Sequence, residues 1–420
     1  MKPKILTTLP AYTRQLFLAD TLAGISVAMV ALPLSLAIAI ASGADPGKGL
    51  ITAIVAGFLI SLLGGSRVQI GGPTGAFIVV VFGVIAQHGY DGLVLATFMA
   101  GLILIAAGVL RLGNLIAYVP EPVINGFTIG IGIIIATSQL PDLFGLAIAD
   151  LPADFLPKIA ALWQARGGMN ITAFVIGLVT MVLIVGLRRA APKFPGLLVA
   201  VALTSAIVAL ALLPVETVFS RFGALPSSLP RPQLPDITVA RLKELLPSAF
   251  VIAFLAGVES LLSALVADRM IGGSHRPNAE VLAQGAANIG SAFFGGLPAT
   301  GAIARTATNI RAGGRTPVAG IVHALAILAV MLVAAPLAGY LAMPALAGLL
   351  ILTAWNMSEP HKWRSHLAAR PADVMLLLLT LTLTVLADLA VAIGVGVALG
   401  LALRLRRRMG EPADWTPPDR

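Results

Sequence analysis

The sequence predicts an all-α integral membrane protein of 14 transmembrane segments in a 7+7 inverted repeat, its third and tenth segments reduced to half-helices. Three observations predict it. The chain of 420 residues is 58% hydrophobic and only 11% charged, against about a quarter charged in soluble domains. Apolar runs recur from residue 20 to residue 403, which at about 20 residues per crossing leaves room for roughly 12 to 14 spans. Finally, two stretches are broken by glycine and proline inside otherwise apolar text: Gly71-Gly72-Pro73-Thr74-Gly75-Ala76 and Gly296-Leu297-Pro298-Ala299-Thr300-Gly301-Ala302. Lipid offers backbone no hydrogen-bond partner, so such breaks survive only where they are buried in protein or line a cavity. Paired breaks at matching places in two halves point to the binding site of a secondary transporter.

The spans are read in order near 20–41, 49–64, 74–87, 92–110, 120–138, 170–187 and 194–213. A proline-rich polar connector, 214–244, carries Pro226, Pro230, Pro232 and Pro235. The second set follows near 245–267, 279–294, 301–312, 317–335, 341–356, 372–387 and 389–405. The chain thus divides into a first repeat (1–213), the connector (214–244), a second repeat (245–408) and a tail (409–420). Asp20 precedes Thr74 by nearly the same interval as Pro247 precedes Thr300. Seven spans per half is an odd number, so the second half must be inverted relative to the first. The ninth span, with Asn278, Glu280, Gln284 and Asn288, is too polar to face lipid and is expected to pack inside.

The net charge of +9 reads as topology rather than as a nucleic-acid footprint. Lys2, Lys4 and Arg14 precede the first span, and Arg404, Arg406, Arg407 and Arg408 close the last. Fourteen spans also put Arg188, Arg189, Lys193, Arg269, Arg276, Lys362, Arg364 and Arg370 on the cytoplasmic side, and Asp142, Asp150 and Asp154 outside. The expectation is a multi-pass protein of the inner (plasma) membrane with both termini cytoplasmic. With no cysteine, disulfides, thiolate metal sites and cysteine nucleophiles are excluded. The five histidines show no metal spacing, no Walker motif suggests ATP, and no cofactor is expected. The first apolar run is of full span length without a small-residue cleavage site, so no signal peptide is read.

Several motifs resemble the sulfate permease (SulP) family of anion transporters. They are Asp20-Thr21-Leu22-Ala23-Gly24 leading to Leu32-Pro33, Gly65-Ser66-Arg67-Val68 through Gly72-Pro73-Thr74, Pro122-Val123-Ile124-Asn125-Gly126-Phe127-Thr128, and the run from Asn288 to Thr316 with Ala304-Arg305-Thr306 and Gly313-Gly314-Arg315-Thr316-Pro317. The resemblance covers about Asp20 to Arg408. It implies a mobile core of spans 1–4 and 8–11 moving against a gate of spans 5–7 and 12–14, and a homodimer. It also implies a C-terminal STAS domain, whereas the sequence read here ends about a dozen residues after the last span.

The site expected from these residues is an anion site made of backbone. Two half-helix N-termini would face each other with unpaired N–H groups and positive dipole ends. Thr74 adds a hydroxyl, and Gly75, Ala76, Gly301 and Ala302 are small enough for close approach. Ser35 and Ile38 of span one and Ile303 and Arg305 of span ten complete the substrate-binding set. The bland alternatives are close helix packing for the glycines and a snorkelling cytoplasmic role for Arg305. Glu259 sits mid-span, placed to take up and release a proton, with Ser263 four residues on. In sodium-coupled relatives of this architecture a third oxygen ligand occupies the position of Ile303, so proton coupling is the expectation and sodium coupling the weaker one. Family members often carry glutamine where Leu34 stands and an aromatic where Ile38 stands, so substrate specificity does not transfer. The expected function is proton-coupled symport of a small inorganic oxyanion or carboxylate by an elevator-like movement. The alternatives are anion exchange, sodium symport, a channel-like conductor and a nucleobase permease. Only Glu259 and Arg305 could serve an enzyme inside the spans, so no enzymatic activity is expected.

Overall fold

The computed structural model describes residues 2–114, 120–148, 151–191, 195–387 and 389–408. Asp150, Lys193 and the tail 409–420 of the sequence reading lie outside the described residues. The first half contains α1 (Arg14–Ala41), α2 (Pro46–Leu63), the two-residue strand β1 (Gly71–Gly72), α3 (Ile78–Val109), α4 (Glu121–Ser138), α5 (Phe155–Ala165), α6 (Ile171–Ala190) and α7 (Gly196–Leu210). The second half contains α8 (Val239–Ile271), α9 (Pro277–Phe293), β2 (Thr300–Gly301), α10 (Ile303–Arg311), α11 (Val318–Ala338), α12 (Met343–Met357), α13 (Pro371–Leu386) and α14 (Leu389–Arg408). Among the described residues, seven helical stretches are long and apolar enough to cross a membrane, with shorter apolar helices at Gly196–Leu210 and Pro371–Leu386.

Local chemistry sets the boundaries. Thr13 caps α1 by accepting from the Leu16 N–H, and Asn170 caps α6 through the Ala173 N–H. The third and fourth spans run into one another as α3, separated by a kink at Gly89, whose backbone (φ 70°, ψ 178°) only glycine adopts readily. α8 starts at Val239, earlier than the span reading of 245, because Thr238 caps it through the Arg241 N–H. Its first turns carry Arg241, Lys243 and Glu244, and this polar turn hid the helix start from an apolar-run reading. The half-helix α10 begins at Ile303 rather than 301, because Thr300 and Gly301 are extended.

Helix packing falls into two groups. α1, α2, α3, α8, α9, α10 and α11 pack among themselves, while α4, α6, α7, α12, α13 and α14 form a second set. α1 against α7 and α12, and α3 against α4, are among the seams that join them. Within the first group α3 and α9 cross closely. A Cβ at Gly101 would lie 2.8 Å from the Gly285 carbonyl oxygen, and one at Gly285 would lie 2.7 Å from that of Gly101. α9 packs inside as expected: Glu280, Gln284 and Asn288 are fully buried.

Candidate functional site

The two interrupted segments meet. β1 and β2 pair antiparallel, Gly71 opposite Gly301 and Gly72 opposite Thr300. Ala302 N–H donates to the Ile70 carbonyl at 2.8 Å, and Ile70 N–H donates to Thr306 Oγ1 at 3.1 Å. Asn288 holds the second break from α9, its Nδ2 donating to the Ala299 carbonyl and its Oδ1 accepting from the Ala299 N–H, each at 2.9 Å. The backbone of the two breaks is therefore held by protein partners at Ile70, Ala299 and Ala302, as its depth demands.

This ladder bears on one expectation. Of Gly301 and Ala302, which the sequence offers as places where a ligand approaches backbone, Ala302 has its N–H taken by the Ile70 carbonyl and Gly301 lies opposite Gly71. Gly301 also has a packing reason, since a Cβ there would fall 1.6 Å from Gln69 Nε2. A 3-10 turn, Gly75–Phe77, leads into α3; the leading donors are those of Gly75 and Ala76 in that turn and of Ile303 and Ala304 on α10, where no intrahelical acceptor exists. Neither Thr74 nor Ala302 caps its own helix with a side chain.

Arg305 is 1% exposed, so it does not snorkel to the cytoplasmic surface. Its Nη2 donates to the Pro73 carbonyl at 2.9 Å and to Ser35 Oγ at 3.2 Å, joining α10 to the first break and to α1. Gly72 (φ 148°) accommodates it, because a Cβ there would meet Nη1 at 2.4 Å. Nε and Nη1 of Arg305 are buried and have no protein acceptor. Thr74 turns its hydroxyl to Glu259 Oε2 at 2.9 Å. Ser263 hydrogen-bonds Thr306 Oγ1 at 3.2 Å. Ile38 is buried among apolar neighbours, and Ile303 is exposed with no oxygen to offer a cation. Gly75 and Ala76 are buried, and Gly75 faces Met357 of α12 and Ile135 of α4, across the seam between the two helix groups.

The sequence marks Glu280 and Gln284 as inward-facing but not the partners they and their neighbours hold. Glu280 accepts from the Gly65 and Ser66 N–H groups, from Ser260 Oγ and from Gln284 Nε2. Gln69 Nε2 donates to Ser260 Oγ at 2.8 Å. Asp20 accepts from the Arg315 and Thr316 N–H groups, the Thr316 hydroxyl and Tyr12 Oη. The only signal available was a polar residue within or beside an apolar run, which marks burial without naming its partner.

The sulfate permease family model matches residues 17–380. The chain belongs to the sulfate permease family. It is 44% identical over 87% of its length to the putative sulfate transporter YvdB of Bacillus subtilis, and 33% identical over 79% of its length to the bicarbonate transporter BicA of Picosynechococcus sp.. It spans 69% of the first and 60% of the second of these relatives. The solved transmembrane domain of a cyanobacterial BicA superposes with a TM-score of 0.82 at 30% identity, covering 91% of this chain and 99% of that one. SLC26A9 shares the fold, with a TM-score of 0.86 at 19% identity, covering 96% of this chain and 68% of that one. The chain is thus a multi-pass membrane protein of an anion-transporter family, which excludes the enzyme reading.

Proposed function

We propose that this sulfate permease family member is a secondary active transporter of a small inorganic oxyanion or carboxylate, coupled to protons through Glu259. The observation that carries the reading is the Thr74–Glu259 hydrogen bond. It ties a buried carboxylate to the head of the first half-helix, while Arg305 holds the other side of the same break. An anion bound between the helix N-termini would interact with Nε and Nη1 of Arg305 and with the N–H groups of Gly75, Ala76, Ile303 and Ala304. Its arrival beside Glu259 would favour the protonated carboxyl, so anion and proton travel together. Sodium coupling is disfavoured by Ile303 and by the engagement of Ser263 with Thr306.

In this reading the helix group containing α1, α2, α3 and α8–α11 is the moving core, and the group containing α4, α6, α7 and α12–α14 is the gate. The protein would work as a homodimer in the inner membrane with both termini cytoplasmic, and the 14 spans would form a 7+7 inverted repeat. Uptake of labelled sulfate, bicarbonate, chloride, oxalate, succinate and fumarate into proteoliposomes tests the function, each with and without an acid-outside gradient and with sodium exchanged for potassium. Saturable uptake of one anion with counterflow, accelerated by the gradient, is expected. Gradient-insensitive uptake that requires a trans anion would make the protein an exchanger. Unsaturable flux without counterflow would make it a channel.

A further inference from the structure

The amphipathic helix α5 carries an inverted feature. Leu156, Ile159 and Trp163 are exposed, as befits a helix lying at a membrane interface. Arg166, at its C-terminal end, stacks on the exposed ring of Trp163 at 4.2 Å. Lys158 does the opposite: it points inward and is 2% exposed. Its Nζ donates to Ser138 Oγ, the last residue of α4, at 3.0 Å, and lies 5.5 Å from the centre of the Phe82 ring on α3. Among the described residues no carboxylate pairs with it; the acid that acts on it is Asp154, one turn back in the chain. Burial pushes its pKa below the usual lysine value. A buried ammonium without a counter-charge is costly, so its placement needs a reason other than stability.

Geometry supplies one. Phe82 belongs to the outer arm of α3, between β1 and the kink at Gly89, and packs near the turn at Gly43 that follows α1. Ser138 belongs to α4 in the other helix group. Lys158 therefore spans the seam between the groups, at the membrane face where α1 and α4 end, directly over the half-helix that leads down to Gly75.

We propose that Lys158 is the outer latch of the transport pathway. It fastens Phe82 of the moving group to Ser138 of the flanking group while that face is closed, and releases when the face opens. The inference rests on the carrier reading, which requires the two groups to shift past one another. Release returns the ammonium to water and presents a cation at the mouth through which an anion arrives. The latch thus balances a weak hydrogen bond and a cation–π contact against the cost of burying a charge, which suits a contact that must open on every cycle.

The absence of native cysteine makes the test direct. Ile135 lies one turn below Ser138 on α4 and contacts the Gly75 position, so an Ile135→Cys thiol reports opening toward the latch. Labelling by a membrane-impermeant maleimide is measured from outside in intact cells and from inside in inverted vesicles. With Lys158 present, outside labelling should be slow. Ser138→Ala removes the hydrogen bond while the ammonium must still be buried, and should raise the outside rate several-fold while lowering the inside rate. Phe82→Leu removes the cation–π contact and leaves the same burial cost, and should shift the rates in the same direction. Lys158→Met removes the cost of burying the charge together with both contacts, and should leave the outside rate at or below that of the parent. Outside rates unchanged in both Ser138→Ala and Phe82→Leu, or rates that rise equally from both sides, would overturn the latch. The anion panel on the unmodified protein decides the carrier reading separately. Counterflow there with unchanged labelling defeats only the latch, and absence of counterflow defeats the carrier itself.

Discussion

Replacing Glu259 by glutamine separates coupling from binding. Glutamine occupies nearly the same volume and keeps an oxygen that can accept from Thr74, whose hydroxyl now donates to Glu259 Oε2 at 2.9 Å. It cannot exchange a proton. One pH unit across the membrane is worth 1.36 kcal/mol per coupled proton, or about tenfold in accumulation at equilibrium. With the membrane potential clamped at zero and the outside one unit more acid, the wild type should accumulate anion about tenfold for one proton per turnover, and about a hundredfold for two. The sign matters: acid outside drives uptake, and acid inside should drive the anion out. Glu259→Gln should settle at an inside-to-outside ratio of about one under either gradient while still exchanging labelled for unlabelled anion. The assay is steady-state accumulation in proteoliposomes, paired with counterflow in the same preparation. A variant that still accumulates tenfold would show that the proton travels elsewhere. A folded variant that loses counterflow as well would move Glu259 from coupling to binding or support.

Three further substitutions test the surrounding site. Arg305→Lys keeps the charge but loses the planar fork that reaches Pro73 and Ser35 while leaving Nε and Nη1 free; the anion KM should rise roughly 10- to 100-fold, and an unchanged KM would place the anion elsewhere. Gly301→Ala drives a Cβ to within 1.6 Å of Gln69 Nε2, so Gln69 must abandon Ser260 at a cost of about 2–3 kcal/mol. Thermal unfolding in detergent should register that loss and Gln69→Ala should rescue part of it, whereas strictly additive effects would refute the coupling. Tyr12, outside the spans, has its phenol pKa pushed up to about 12 by burial and by the adjacent Asp20 carboxylate. The tyrosinate absorbance lost in Tyr12→Phe should therefore titrate near pH 12 rather than near 10. Because the folded value is raised, the stabilisation from Tyr12 is complete below the ordinary tyrosine pKa and lost as pH rises through about 12. Titration at the ordinary value would show that the Tyr12–Asp20 contact does not persist in solution.

The features legible in the sequence were those that lipid itself enforces. Apolar runs of span length, and the two Gly/Pro breaks, announce themselves because the bilayer penalises any polar backbone it touches. Arg305 and Glu259 were visible for the same reason, as charges in text that otherwise excludes them. What could not be read was which polar group answers which. Glu280 closes on backbone of Gly65 and Ser66, more than two hundred residues away in the chain, and nothing in the spacing of α9 says so. Gly301 looked like ligand access because glycine permits close approach, but the approach belongs to Gln69. The start of α8 was missed because its capped first turns are polar, and a span reading follows apolarity rather than capping. Lys158 drew no attention because a lysine on an interfacial helix ordinarily faces water, and only the fold shows it turned inward.

On the carrier reading proposed above, these contacts would let the site move without being dismantled. Ser35, Pro73, Thr74, Glu259, Ser263, Arg305 and Thr306 all belong to one helix group, tied to one another by the β1–β2 ladder and by the bonds of Arg305, Thr74 and Ser263. The nearest side chains that meet the Gly75 position from the other group, Ile135 and Met357, are apolar. Sliding past them costs contact area but breaks no hydrogen bond, whereas a site shared by both groups would have to surrender about 1 kcal/mol or more for each polar contact on every turnover. The charged contact described here that does cross the seam toward α3 is Lys158 over the Phe82 ring, with the same ammonium held to Ser138 of the flanking group. That contact lies at the membrane face rather than at the anion, which is where a carrier can let go without losing its cargo.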